Sequence, residues 1–69
     1  MTHAEFLKKV GIELKVARIR AGMTTAQVIK STGLSKASIN HIEGGKVDAH
    51  ILSYKRICDA IGVDMKDIL

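Results

Sequence analysis

Proline is absent from the 69-residue chain, and Phe6 and Tyr54 are its only aromatic residues. The sequence also shows little apolar–polar alternation, so it reads as all-helical rather than β-rich. Cys58 is a lone cysteine, which excludes a disulfide framework and a cysteine metal site. We read it as a small core residue. His3, His41 and His50 share no ligand-like spacing, so neither metal nor cofactor is expected. No apolar run approaches the roughly 18 residues of a membrane span. The N-terminus, MTHAEFLKK, lacks the apolar core of a signal peptide, which points to the cytoplasm. No Ser–His–Asp or paired-carboxylate constellation can be argued in so small a helical chain, and an enzyme is not expected. No linker, repeat or low-complexity stretch divides residues 1–69, so one domain with a small core is expected. Such domains are marginal and are often helped by oligomerisation.

Glycine does the punctuating instead. Gly22, Gly33, Gly44-Gly45 and Gly62 separate five predicted helices, over residues 2–21, 25–32, 35–43, 50–61 and 65–68. Asp64 is placed to cap the last helix, and Asp48 is an alternative cap for the fourth. Charge is uneven. Residues 1–46 carry eight basic against three acidic side chains, and residues 47–69 carry three against four. The positive half is the one that phosphate binding would use.

That half contains TTAQVIKSTGLSKASINHIE, residues 24–43. Thr24 or Thr25 can cap a short helix that must stop at Gly33, where only glycine adopts the left-handed conformation cheaply. Ser35 then caps a second short helix. Val28, Leu34, Ile39 and Ile42 fall where two crossed helices would share a core. Lys36, Ala37, Asn40 and His41 lie on the other face of the second helix. Cap, glycine turn and second cap at this spacing describe a helix-turn-helix, whose second helix enters the DNA major groove.

The segment resembles the phage-repressor and Cro-like (Xre-type) helix-turn-helix domains, over about residues 10–69. Val10-Gly11 through Leu14 and Arg18 resemble the family's first helix. Ala21-Gly22-Met23-Thr24 resemble its entry into helix two. Ile42-Glu43-Gly44-Gly45-Lys46 resemble its "IE-x-G-K" exit from the recognition helix. Ile57, Cys58, Ala60, Ile61, Gly62, Val63, Ile68 and Leu69 resemble its closing "IAxALGV…LL". The resemblance implies a compact five-helix phage-repressor-like fold with the motif at helices two and three. It also implies a bacterial or phage-encoded, nucleoid-associated protein. Some positions depart from the pattern, among them Thr25, where glutamine is usual. Ile29 stands where a small residue is usual, which implies a shifted helix crossing or an outward rotamer. Thr32 is more polar than the usual occupant, and no proline stands near Ala49.

On this reading Lys36, Ala37, Asn40 and His41 contact bases. Lysine can donate to guanine, asparagine pairs with adenine, and alanine can meet a thymine methyl. Thr24, Thr25, Ser35, Ser38 and Lys46 are the expected phosphate contacts, the first two aided by the helix N-terminus. The resemblance implies that Arg18 and Glu43 form a structural ion pair tying helix one to the end of the recognition helix.

Helix one has two apolar stripes. Leu7, Val10, Leu14, Ala17 and Ala21 should meet the core. Ile12, Val16 and Ile19 form a row on nearly the opposite side. They either pack beneath a neighbouring segment or mark an interface. Met65, Ile68 and Leu69 are the other interface candidates. The expected partners are double-stranded DNA and a second copy of the chain. Two recognition helices roughly 34 Å apart would read a palindromic operator. The function expected is a sequence-specific transcriptional repressor. The alternatives are an antitoxin or restriction–modification controller of the same fold, or a protein-interaction module without DNA binding.

Overall fold

A computed structural model describes all 69 residues and contains five helices and no strand. They are α1 (His3–Arg20), α2 (Thr25–Thr32), α3 (Lys36–Glu43), α4 (Ile51–Ile61) and α5 (Met65–Ile68). No helix is long and apolar enough to cross a membrane.

Local hydrogen bonding sets most of these boundaries. Thr2 lies just outside α1 as its cap. Its hydroxyl accepts from the Glu5 N–H at 3.1 Å while the Glu5 carboxylate accepts from the Thr2 N–H at 3.0 Å. This reciprocal box satisfies two backbone donors that the helix start leaves free. Thr24 and Gln27 repeat the arrangement at α2, at 3.1 and 2.8 Å. Ser35 likewise caps α3 from outside it, accepting from the Ser38 N–H at 3.1 Å. The Asp64 carboxylate accepts from the Lys66 N–H at 3.2 Å. Helix α4 begins one residue later than expected. His50 is its cap residue but makes no side-chain capping bond. Asp48 does not cap it either, because the helix starts at Ile51 with His50 in the cap position; the Asp48 carboxylate lies 3.3 Å from His3 Nε2 instead.

Ten apolar side chains drawn from all five helices form the core. Val10 and Leu14 enter from α1, Val28 from α2, and Ile39 and Ile42 from α3. Tyr54, Ile57, Cys58 and Ile61 come from α4, and Ile68 from α5. Full burial of each aliphatic side chain is worth about 1.5–3 kcal/mol. At 18 residues α1 is the longest helix, and α3, α4 and α5 pack against it, while α2 packs on α3 and α4.

Two expectations change, one stays open and one is narrowed. Ala21 is exposed, because α1 ends at Arg20 and Ala21 already turns away as its C-terminal cap. Ile68 is buried in the core at 5% exposure, so it cannot serve as an interface residue while the fold is intact. Leu69 follows the end of the short α5 and stays 49% exposed. Ile29 packs against the core rather than turning outward.

Candidate nucleic-acid interface

Helices α2 and α3 are joined by the turn at Gly33, whose φ of 75° is left-handed. Thr32 adds a clasp to that turn. Its hydroxyl donates to the Val28 carbonyl at 2.7 Å and accepts from the Leu34 N–H at 3.2 Å. The polar residue that departs from the family pattern thus satisfies backbone groups where α2 ends.

Three contacts fix α3 against α1. Gly11 is buried in the middle of α1, where the Ile42 and Glu43 carbonyl oxygens lie 2.5 and 2.6 Å from the position a Cβ would occupy. Gly45, with φ of 66°, brings the chain leaving α3 equally close to the Lys8 backbone. Arg18 closes the third contact. Its Nε donates to Glu43 Oε2 at 2.8 Å and its Nη2 to Oε1 at 3.2 Å, a bidentate pair. Its Nη1 donates to the Met23 carbonyl at 2.9 Å, which also anchors the entry to α2. The two side chains are only 11% and 8% exposed. Both ends of the α2–α3 unit are therefore tied to one arginine on α1.

Ile39 and Ile42 hold one face of α3 in the core. Lys36, Ala37, Asn40 and His41 lie exposed on the other. No side-chain hydrogen bond or ion pair within the chain engages Lys36, Asn40 or His41. Of the expected phosphate contacts, Thr24, Ser35 and Lys46 are exposed, and Thr25 and Ser38 are half-buried. The Thr24 oxygen is occupied as a cap, while its hydroxyl proton remains able to donate. Ser35 and Ser38 share a hydroxyl–hydroxyl bond of 3.0 Å, which uses one of their two protons. The N–H groups of Thr25 and Ala26 open α2, where helix geometry provides no acceptor.

The row Ile12, Val16 and Ile19 is not covered by any segment of the chain, with exposures of 58, 36 and 58%. Sequence reasoning missed a second apolar surface. Phe6, Ile51 and Leu69 line a groove of about 310 Å³ together with Leu7, Ala49 and Tyr54. The adjacent apolar pair Ile51-Leu52 at the start of α4 was the available signal. Both residues are over 60% exposed.

These elements define a helix-turn-helix protein with a rigidly mounted second helix. The chain belongs to the helix-turn-helix domain family, whose pattern matches residues 9–68. Comparison with curated proteins gave no significant match. Among solved structures, the restriction–modification controller protein C.AhdI from Aeromonas hydrophila is similar at a TM-score of 0.85 and 17% identity. That similarity covers 91% of this chain and 96% of the controller. An HTH_3 family transcriptional regulator from Vibrio cholerae gives 0.87 at 24% identity, over 97% of this chain and 38% of its own. The restriction–modification controller protein C.Esp1396I was solved as a tetramer in complex with its natural 35 base-pair operator. It gives a TM-score of 0.78 at 25% identity, over 91% of this chain and 93% of that one.

Proposed function

We propose that this chain is a sequence-specific DNA-binding transcriptional regulator, a repressor that binds a palindromic operator as a homodimer through α3. One observation carries the reading. Three polar side chains, Lys36, Asn40 and His41, stand unengaged on the outer face of a helix whose backbone is fixed from behind. Fixed donors on a major-groove helix are what base recognition uses. Lys46 and the donors around Thr24 and Ser35 then position the helix on phosphates. Such a protein works in the compartment that holds the DNA, and no catalytic role is assigned.

One short helix spans only a few base pairs, so a dimer is the natural reading unit. The groove around Phe6, Ile51 and Leu69 suits a second copy. The only acidic or basic side chains lining it, His3 and Asp48, face each other at 3.3 Å. Among regulators of this fold, the similarity to two restriction–modification controllers favours control of an operon of that type.

The test is selection of bound sequences from a random duplex pool, followed by titrations at several salt concentrations. Asn40→Ala should cost about 1–3 kcal/mol on the selected site and relax preference at one position per half-site. Lys46→Ala should weaken all sequences alike and reduce the salt slope. An Asn40→Ala variant that keeps both affinity and preference would remove α3 as the reading element.

A further inference from the structure

Ile12, Val16 and Ile19 place three β-branched side chains in water on one helix, and isolated chance does not account for a contiguous row. At 100° per residue, Lys8 and Lys15 run along one edge of the row, and Lys9 and Arg20 along the other. None of these four cations has an ionic partner, since the chain's three ion pairs use other groups. Glu5, near the row, is held in the capping box. Val16 also lines a groove of about 340 Å³ with Ala17, Ala21 and Val63, floored by core side chains, so the row runs into a concave apolar surface. Glu13, Arg20 and Asp67 are the charged residues lining that groove.

We propose that this row is a docking surface for an acidic amphipathic helix of a second protein. Apolar residues at i, i+4 and i+7 of that helix would seat on Ile12, Val16 and Ile19. Carboxylates flanking them would face Lys8, Lys9, Lys15 and Arg20. A second copy of the chain fits less well. Antiparallel pairing of two rows about a two-fold axis sets Lys15 against its own equivalent and doubles the cations in one contact. Glu13 and Asp67 oppose that repulsion on one edge only, and the Lys8 and Lys15 edge has no carboxylate beside it. Gly11, where α3 packs, lies about 100° around the helix from Ile12. The row and the outer face of α3 can therefore be occupied together, and the proposal does not depend on DNA reading.

The probe is a labelled helical peptide of about five turns, with leucines at i, i+4 and i+7 and glutamates on both flanks. A second peptide carries lysines in place of the glutamates. Each is titrated into the full chain by fluorescence anisotropy, with duplex binding by the parent read separately. The acidic peptide should bind, and the lysine peptide should bind at least about tenfold more weakly. Val16→Glu should weaken the acidic peptide about tenfold, because it buries an unpaired carboxylate in the contact. Its melting temperature should match the parent's. If Val16→Glu fails to fold, Lys9→Glu and Lys15→Glu, both at exposed positions, replace it and should weaken the peptide likewise. Absent binding, equal binding of the two peptides, or variants that bind as the parent does would each overturn the proposal. So would sedimentation showing that Val16→Glu turns a dimeric parent into a monomer, since the row would then be a self-interface.

Discussion

Replacing Gly11 by alanine should destabilise the chain, although alanine is the better helix former. The added methyl would lie 2.5 Å from the Ile42 carbonyl oxygen and 2.6 Å from that of Glu43, where ordinary contact starts at 3.4 Å. Helices α1 and α3 must therefore part by roughly 1 Å. Both obstacles are main-chain atoms, so no rotamer change relieves the clash. Alanine's gain in helix propensity is about 0.5–1 kcal/mol. Overpacking costs about 1–3 kcal/mol. Parting the helices also stretches the bidentate Arg18–Glu43 pair, and loss of a buried pair costs about 3–5 kcal/mol when one partner is removed. Stretching loses only a part of that. A net loss of about 2 kcal/mol, at about 4–8 °C per kcal/mol for a chain of this size, lowers Tm by roughly 8–16 °C. Thermal melting followed by circular dichroism measures it. A Tm equal to or above the parent's would refute the close approach of α1 to the end of α3.

Glu43→Gln should lower Tm without DNA present, since it leaves Arg18 nearly buried without its carboxylate; calorimetry reads the change. Thr24→Ala removes the cap of α2 and should cost about 1 kcal/mol in denaturant titrations. Leu69→Glu or Ile51→Glu should dissociate the homodimer in sedimentation while leaving the monomer folded, because both side chains are exposed. Burial pushes the Cys58 thiol above its ordinary value, with the Asp59 and Asp64 carboxylates adding to the shift. The unfolded chain then releases this proton first, so stability should be full below the ordinary thiol pKa of 9.0 and fall as pH rises beyond it. Cys58→Ala should flatten that slope in denaturant titrations across the range.

Much of the fold could be read from the sequence because its boundaries are set by local signals. Thr24, Gly33, Ser35 and Asp64 each act within a few residues of themselves, through a cap or a left-handed turn. What could not be read depends on distant neighbours. Gly11 stands inside a helical pattern, and nothing near it in sequence announces the carbonyls of α3. Asp48 looks like a cap from its neighbours, but α4 starts at Ile51 and the Asp48 carboxylate faces His3, distant in sequence. Ile68 and Leu69 are adjacent and chemically alike. A four-residue helix is too short for periodicity to say which of them faces inward. The outer face of α3 was legible because Ile39 and Ile42 define the inner one. The rigidity of its mounting was not.

That mounting gives α1 two tasks on different sides of one helix. Gly11 and Arg18 hold α3 through backbone contact and a bidentate pair, while Ile12, Val16 and Ile19 face away. A contact with so little slack passes on any tilt of α1 to the recognition helix, since close-packed elements shift rather than deform. A helix docked on the row alters DNA affinity only if it binds the DNA-held arrangement and the free one differently. If it does, reciprocity requires equal factors. The change that operator duplex makes in peptide affinity must equal the change that peptide makes in operator affinity. Equal and non-unit factors would make α1 the coupling element between partner and DNA. Factors of one would mean that the partner is carried to the operator without changing its occupancy.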